Sequence, residues 1–253
     1  MNNNKLKQLY VILALLATIV INGLANALPL NGLQTGEISD RFKVYFVPAG
    51  YVFAIWGLIY LALLAYVAYQ ARPSQRNNPK LQSIAYLFVG SSIANIVWLF
   101  LWHYEVFPLT ILAMLGVLVF LIAIYLKLDI GRAKVSAAEK WFVHIPFSIY
   151  LGWITVATVA NATSLLDYLN WNGWGISSQV WAVIMLAVAT LIAGLMSFTR
   201  GDVAYSLVLM WAFAGIAVKH VDTSLVATSA WIATGLVGLL LGVGILWKRS
   251  KGS

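Results

Sequence analysis

The chain has no cysteine, few charges, and no Asp, Glu, Lys or Arg in the middle of any of its long apolar runs. The first absence excludes disulfides and thiolate metal sites. The second excludes an ordinary soluble surface: 9% of the 253 residues are charged, against about a quarter in soluble domains. The third argues against an ion-coupled pump, whose ion path carries ionisable groups within the bilayer. It argues equally against an enzyme working there, which needs a titratable acid or base. A retinal-type Schiff base is also excluded, because Lys219 sits at the end of a run and not within one.

What is present is hydrocarbon. The chain is 62% hydrophobic, with a mean hydropathy of +0.86. A spanning helix needs roughly 20 mostly apolar residues. Runs of that kind lie near residues 9–29, 50–70, 82–102, 107–127, 142–163, 178–198, 203–219 and 226–247. Lipid offers no hydrogen-bond partner to a backbone, and continuous runs lack the alternation of a barrel strand. The expectation is an all-α integral membrane protein with eight transmembrane helices. Thirteen of the sixteen Lys and Arg residues fall on one side of this topology, and Arg41, Lys43 and Lys219 on the other. The positive-inside rule then places both termini in the cytoplasm and the chain in the plasma membrane. The net charge of +8 follows from this distribution and is no nucleic-acid footprint. Lys5, Lys7 and "ANA" at 25–27 resemble a signal peptide, but the apolar run is near full spanning length, so the first helix is expected to be retained.

The polar and aromatic residues inside the spans follow the helical period. Asn22 and Asn26 share a face of the first span. Phe53, Trp56 and Tyr60 do so on the second, Ser91, Asn95, Trp98 and Trp102 on the third, and Tyr150, Trp153, Ala157 and Asn161 on the fifth. Counted from the span ends, Asn26, Trp56, Asn95, Trp98, Ala157 and Asn161 lie within roughly the outer 10 Å, and Tyr60 and Trp153 at about 15 Å. An aromatic belt with interhelical Asn bonds would explain such a set. So would a cavity for an apolar ligand. Trp102, Tyr168, Trp171 and Trp174 fit the belt. His103, His144 and His220 lie at span boundaries, where bonding to water or headgroups accounts for them, and no metal site is assigned. Gly238 and Gly242 form a GxxxG pair suited to close helix packing. "SAAE" at 136–139 reads as a capping box, with Ser136 as cap and Glu139 reaching back.

On these residues the chain resembles the translocator-protein family, the tryptophan-rich sensory proteins (TspO/MBR). Its second helix follows a Trp-x-Pro-Pro turn and carries a Trp and then a Tyr, as Pro48, Trp56 and Tyr60 do here. Its third carries Asn-x-x-Trp, here Asn95 and Trp98. Its fifth carries Trp-x-x-x-Ala-x-x-x-Asn, here Trp153, Ala157 and Asn161, with Tyr150 three residues before the Trp. Ala49 stands where the family has its second proline, Phe53 lies one residue closer to Trp56, and Pro146 is seven residues before Trp153, not four. These motifs cover roughly residues 10–165. The resemblance implies a five-helix bundle over 1–170 that binds planar apolar ligands such as porphyrins, with three further helices and a basic tail over 171–253.

The resulting expectation is a membrane receptor or sensor, without catalytic residues or bound cofactor, that takes a tetrapyrrole-like ligand. Its site would comprise Asn26, Phe53, Trp56, Tyr60, Asn95, Trp98, Tyr150, Trp153, Ala157 and Asn161. Its partners would be the bilayer, a hydrophobic small molecule and, in a homodimer, a second copy, with no nucleic acid. A permease for an apolar solute and a structural subunit are the alternatives. The connection at 30–49 is longer than the 2–8 residues usual between bundle helices, and is expected to form a lid. Pro48 is expected to open the second span at N1, and Gly50 to let the lid approach closely.

Overall fold

A computed structural model describes residues 3–28 and 30–251 of the chain. Pro29, the last residue of the first expected apolar run, lies outside the described residues, as does the side chain of the expected site residue Asn26. The described residues are helical with no strand. The helices are α1 (Asn3–Ala27), α2 (Thr35–Asp40), α3 (Ile55–Gln70), α4 (Pro79–His103), α5 (Phe107–Lys127), α6 (Ala137–Glu139), α7 (Ile145–Tyr168), α8 (Ser178–Arg200), α9 (Val203–Lys219) and α10 (Ser224–Lys251). Seven helical stretches are long and apolar enough to cross a membrane, while α9, with 17 residues, is shorter. At 1.5 Å per residue α9 is about 25 Å long.

Local chemistry starts and stops these helices. Asn78 caps α4 by accepting from Lys80 N at 3.1 Å, with Pro79 at N1, where a proline loses no bond. Ser177 and Asp202 cap α8 and α9. Gly201 ends α8 in the left-handed region at φ 62°, a C-terminal stop that glycine adopts without a Cβ penalty. Ser136 Oγ accepts from Glu139 N at 3.1 Å, as the capping-box pattern requires. The Glu139 carboxylate instead faces Lys80 Nζ at 3.4 Å. Between α6 and α7 the chain makes a π-helical turn, Lys140–His144. Pro146 follows one residue later and brings no N–H to the helical ladder, so the widened turn sits where a regular one would lack a bond.

α7 forms the centre of the bundle, against α3, α5 and α9, while α4 lies between α1 and α5, and α8, α9 and α10 pack together. Gly152 lets α9 approach α7: a Cβ there would lie 3.1 Å from Tyr205 O and from Val208 Cβ. The expected glycine pair does not behave as a unit. Gly238 faces Met210, whereas Gly242 meets open space, and the close approach on α10 is made at Gly244, whose Cβ would lie 2.8 Å from the Ser197 backbone. The outer faces carry the largest exposed apolar side chains, Leu61, Leu112, Val119, Leu191 and Leu239 among them. That is the surface of a protein whose solvent is lipid.

The two ends of the bundle differ. One carries Arg72, Arg132, Lys134, Arg200 and Lys248 and is called the basic end; the other is covered by α2 and is called the roof end.

Candidate functional site

The segment 30–49 folds down over the roof end. Ile38, Phe46 and Val47 are buried. Asn31 Nδ2 donates to His103 O at 3.1 Å, and Trp102 Nε1 to Thr35 O at 3.2 Å. His103 is fully buried, with Nδ1 2.9 Å from Leu99 O and Nε2 3.4 Å from Thr35 Oγ1. Two exposed ion pairs, Arg41 with Glu105 at 2.5 Å and Lys219 with Asp40 at 2.6 Å, tie the rim of the roof to the α4–α5 turn and to α9.

The segment then enters the bundle against α9. Ala49 N donates to Gly215 O, and Trp211 Nε1 to Val52 O, both at 3.1 Å. A Cβ on Gly215 would sit 2.2 Å from Val52 Cγ2 and 3.1 Å from Pro48 Cβ. The glycine that permits the close approach is therefore Gly215. A Cβ on Gly50 would meet nothing within 4 Å. Pro48 also lies outside the helix it was expected to open: a 3-10 turn, Gly50–Ala54, leads into α3 with Ala49 as its cap. The sharp bend is met by the turn, and Pro48 packs on Gly215.

Beneath the roof lies a small cavity of about 50 Å³, lined by Phe53, Trp56, Trp98, Trp102, Trp153, Ala157 and Asn161, with Thr35, Ser39, Val47 and Pro48 above. Six of the ten expected site residues line it. Trp56 is the hub of the aromatic cluster: it stacks on Tyr60 with ring centroids 5.6 Å apart and meets Tyr150 at 6.0 Å and Trp153 at 6.2 Å. Phe53 meets Trp153 edge-on at 5.7 Å. Tyr60, Tyr150 and Asn95 support this wall without lining the cavity.

The polar groups are largely paired with one another. Trp98 Nε1 donates to Asn161 Oδ1, and Asn161 Nδ2 to Thr110 Oγ1, both at 2.8 Å. Asn22 Nδ2 donates to Asn95 Oδ1 at 3.0 Å. Trp153 Nε1 is different: it is buried with no hydrogen-bond partner, in a residue 2% exposed. A buried donor left unpaired costs about 1–3 kcal/mol. An occupant bearing an acceptor would remove that cost. Trp102 is not a belt residue. It is 4% exposed and stacks on Trp98 with centroids 5.5 Å apart. Tyr168 and Trp174 are exposed, as a belt requires.

At the basic end the structure assembles a second set that helical periodicity could not reveal. Asp202, 6% exposed, accepts from Tyr125 OH at 2.8 Å, Ser148 Oγ at 2.6 Å and Tyr205 N at 3.1 Å. It stands between α8 and α9, outside any periodic stretch; its only signal in the sequence is an N-cap Asp before an apolar run. A large open groove of about 1280 Å³ passes it, between α3 and α7 on one side and α9 and α10 on the other. Among the described residues no group of three or more His, Asp or Glu could hold a metal ion.

Comparison with known proteins gives one positive result. No curated protein and no solved structure matches the chain. The pattern of the family described as TSPO-like protein matches residues 8–243, through α8 and α9 into α10 and well beyond the stretch that carries the Trp, Asn and Pro motifs. A match over that share of the chain, carried by a helical membrane bundle with the aromatic cluster of Trp56, Trp98 and Trp153 at its roof end, makes the chain a member of the TSPO-like protein family.

Proposed function

We propose that the protein is a membrane receptor or sensor that binds a planar apolar, tetrapyrrole-like ligand in the cavity under α2, without carrying out a chemical step. The observation that carries this reading is the unpartnered Trp153 Nε1 in a chamber that Phe53, Trp56, Trp98 and Trp102 also line. Ligand sites usually measure about 300–1,000 Å³, and this cavity is about 50 Å³. The closed roof is thus the ligand-free form, and binding displaces α2. In the same reading the chain crosses the plasma membrane eight times, α9 included, with the roof outside and both termini in the cytoplasm.

Protoporphyrin titration of the purified protein tests the site. Tryptophan emission should be quenched saturably. Trp56→Leu and Trp153→Leu should each weaken binding by roughly 1–2 kcal/mol, the scale of a lost aromatic contact. Trp247→Leu, at the basic end, should change affinity little. Equal effects from Trp247→Leu and Trp56→Leu, or none from any of them, would sink the proposal. Single cysteines test the topology: Gln75 should be labelled from the cytoplasmic side and Gln34 from outside.

One observation favours a second reading, as a permease. Cavity and groove lie on opposite sides of the same α3–α7 seam. Phe53 and Trp153 face the cavity, and Ala54 and Ile149 face the groove. Ligand flux in proteoliposomes, rather than binding alone, would support that reading.

A further inference from the structure

The groove at the basic end has the build of an amphiphile site. Lys134, Lys140, Arg200 and Lys248 line its mouth, with Asp202 as the one carboxylate among its lining residues. Hydrogen bonds donated by Tyr125 OH, Ser148 Oγ and Tyr205 N already occupy that carboxylate. Among the described residues, Lys134 and Lys140 have no ion-pair partner. His144 also lines the mouth. It is 5% exposed, and its buried Nε2 has no hydrogen-bond partner; the nearest carboxylate oxygen, Glu139 Oε1, is 3.9 Å away. The mouth thus offers several cations and one buried, unfilled imidazole nitrogen.

The cations are held in place by the fold. Gly131 has φ 81°, and a Cβ there would lie 2.3 Å from Arg200 O, so the loop after α5 clasps the α8–α9 turn at backbone distance. Arg132 Nε donates to Thr199 O at 3.3 Å, and Lys248 Nζ to Gly131 O at 3.0 Å. Arg200 is fixed by Asp129 at 2.6 Å. From this clasp the groove rises along α9 from Val203 through Leu207 to Trp211, about 12 Å at 1.5 Å per residue. Leu58 and Ile149 form its other wall. A headgroup-sized cationic mouth that continues into an apolar channel along the helix axis matches a charged head on an acyl chain, and neither a free anion nor a neutral hydrocarbon fits both parts.

We infer that this groove binds an anionic phospholipid from the leaflet at the basic end, its phosphate among Lys134, Lys140 and His144 and one acyl chain along Leu207 and Trp211. The site is independent of the cavity under α2.

Native mass spectrometry of the full chain, offered phosphatidylglycerol and phosphatidylcholine with identical acyl chains, tests it. Phosphatidylglycerol should be retained in clear excess. Lys134→Gln with Lys140→Gln should cut that excess roughly tenfold or more, since each Lys near an anionic lipid contributes about fivefold, and Lys134→Arg with Lys140→Arg should keep it. Leu207→Trp, which fills the channel and leaves every charge, should lower retention of both lipids. Unchanged thermal melting of these variants establishes that they remain folded. Four results would overturn the inference: equal retention of the two lipids, an equal loss from Lys5→Gln with Lys7→Gln, displacement of the lipid by soluble glycerol phosphate, or a dimer that forms in place of the lipid adduct.

Discussion

The cavity under α2 and the groove at the basic end share two walls, α3 and α7, yet they are finished in opposite ways. The cavity is small and roofed, and its polar atoms are mostly paired with one another. The groove is wide, open to the side and lined by cations whose partners are few. The difference follows from which elements close each end. At the roof end a 20-residue connection has enough length to fold a short helix back over the bundle. At the basic end the connections are shorter, and two of them turn at the left-handed glycines Gly131 and Gly201, holding cations apart without covering the space between them. A long loop closes a site; short turns frame one and leave it open.

The sharpest way to break this comparison is Gly131→Ala. The left-handed φ and the contact with Arg200 O should together cost about 2–3 kcal/mol, read as thermal unfolding in detergent. Porphyrin quenching should survive in the fraction that stays folded, while anionic lipid retention falls. Loss of both together would mean the two ends are one coupled site. Asn161→Leu should act on the cavity alone. It strands Trp98 Nε1 and removes the donor to Thr110, at a cost of about 1–2 kcal/mol in stability, with lipid retention unchanged.

The roof latches should have smaller effects of the opposite sign on binding. Arg41 with Glu105 and Lys219 with Asp40 are exposed pairs, each worth roughly 0.2–1 kcal/mol. They stabilise the closed form. Removing one by Arg41→Gln or Lys219→Gln should therefore raise apparent porphyrin affinity by up to about fivefold, through a larger open population. A lower affinity in these variants would show that the ligand binds the closed roof.

The smallest effect concerns pH. His220 sits beside the latch, half-buried, its ring 5.1 Å from that of Tyr45. Burial, and then the neighbouring Lys219 charge, lower its pKa from the ordinary value of 6.5. A histidine whose folded pKa is depressed contributes stability above the unfolded value and loses it as pH falls through the folded one. Stability should accordingly decline as pH drops below about 6.5, and His220→Gln should flatten that part of the profile. An unchanged profile in the variant would remove His220 from the latch.

Much of the cavity was legible in the sequence, because helical period reports which residues share a face. Trp56 with Tyr60, Asn95 with Trp98, and Trp153 with Asn161 could be paired along their own helices without knowing the fold. What lies opposite a face is a different kind of information. Trp211 bonds to Val52 across 159 residues, and Lys219 to Asp40 across 179; no local pattern carries either contact. Gly215 was hidden for the same reason, since its need for space comes from Val52 and not from its own turn. Trp102 reads as interfacial because it ends a span, whereas part of its burial comes from the segment that folds over it, through Phe42 and Thr35. Asp202 escaped because it lies between spans, where charge is unremarked, until Tyr125 and Ser148 arrive from two other helices.

The π-helical turn at Lys140–His144 keeps a phase. An α-helix turns by about 100° per residue, and a π turn accommodates one residue more than an α turn. Deleting Phe142 would therefore return the turn to regular α winding and leave Glu139, on one side, close to its present phase relative to Trp153 and Asn161 on the other. What the deletion would remove is the ring stacked on Tyr69 at 5.7 Å. The wide turn thus acts as a buffer of length: it takes up one residue without re-aiming either end of the central helix. Descendants of this chain could gain or lose a residue here and inherit both ends intact.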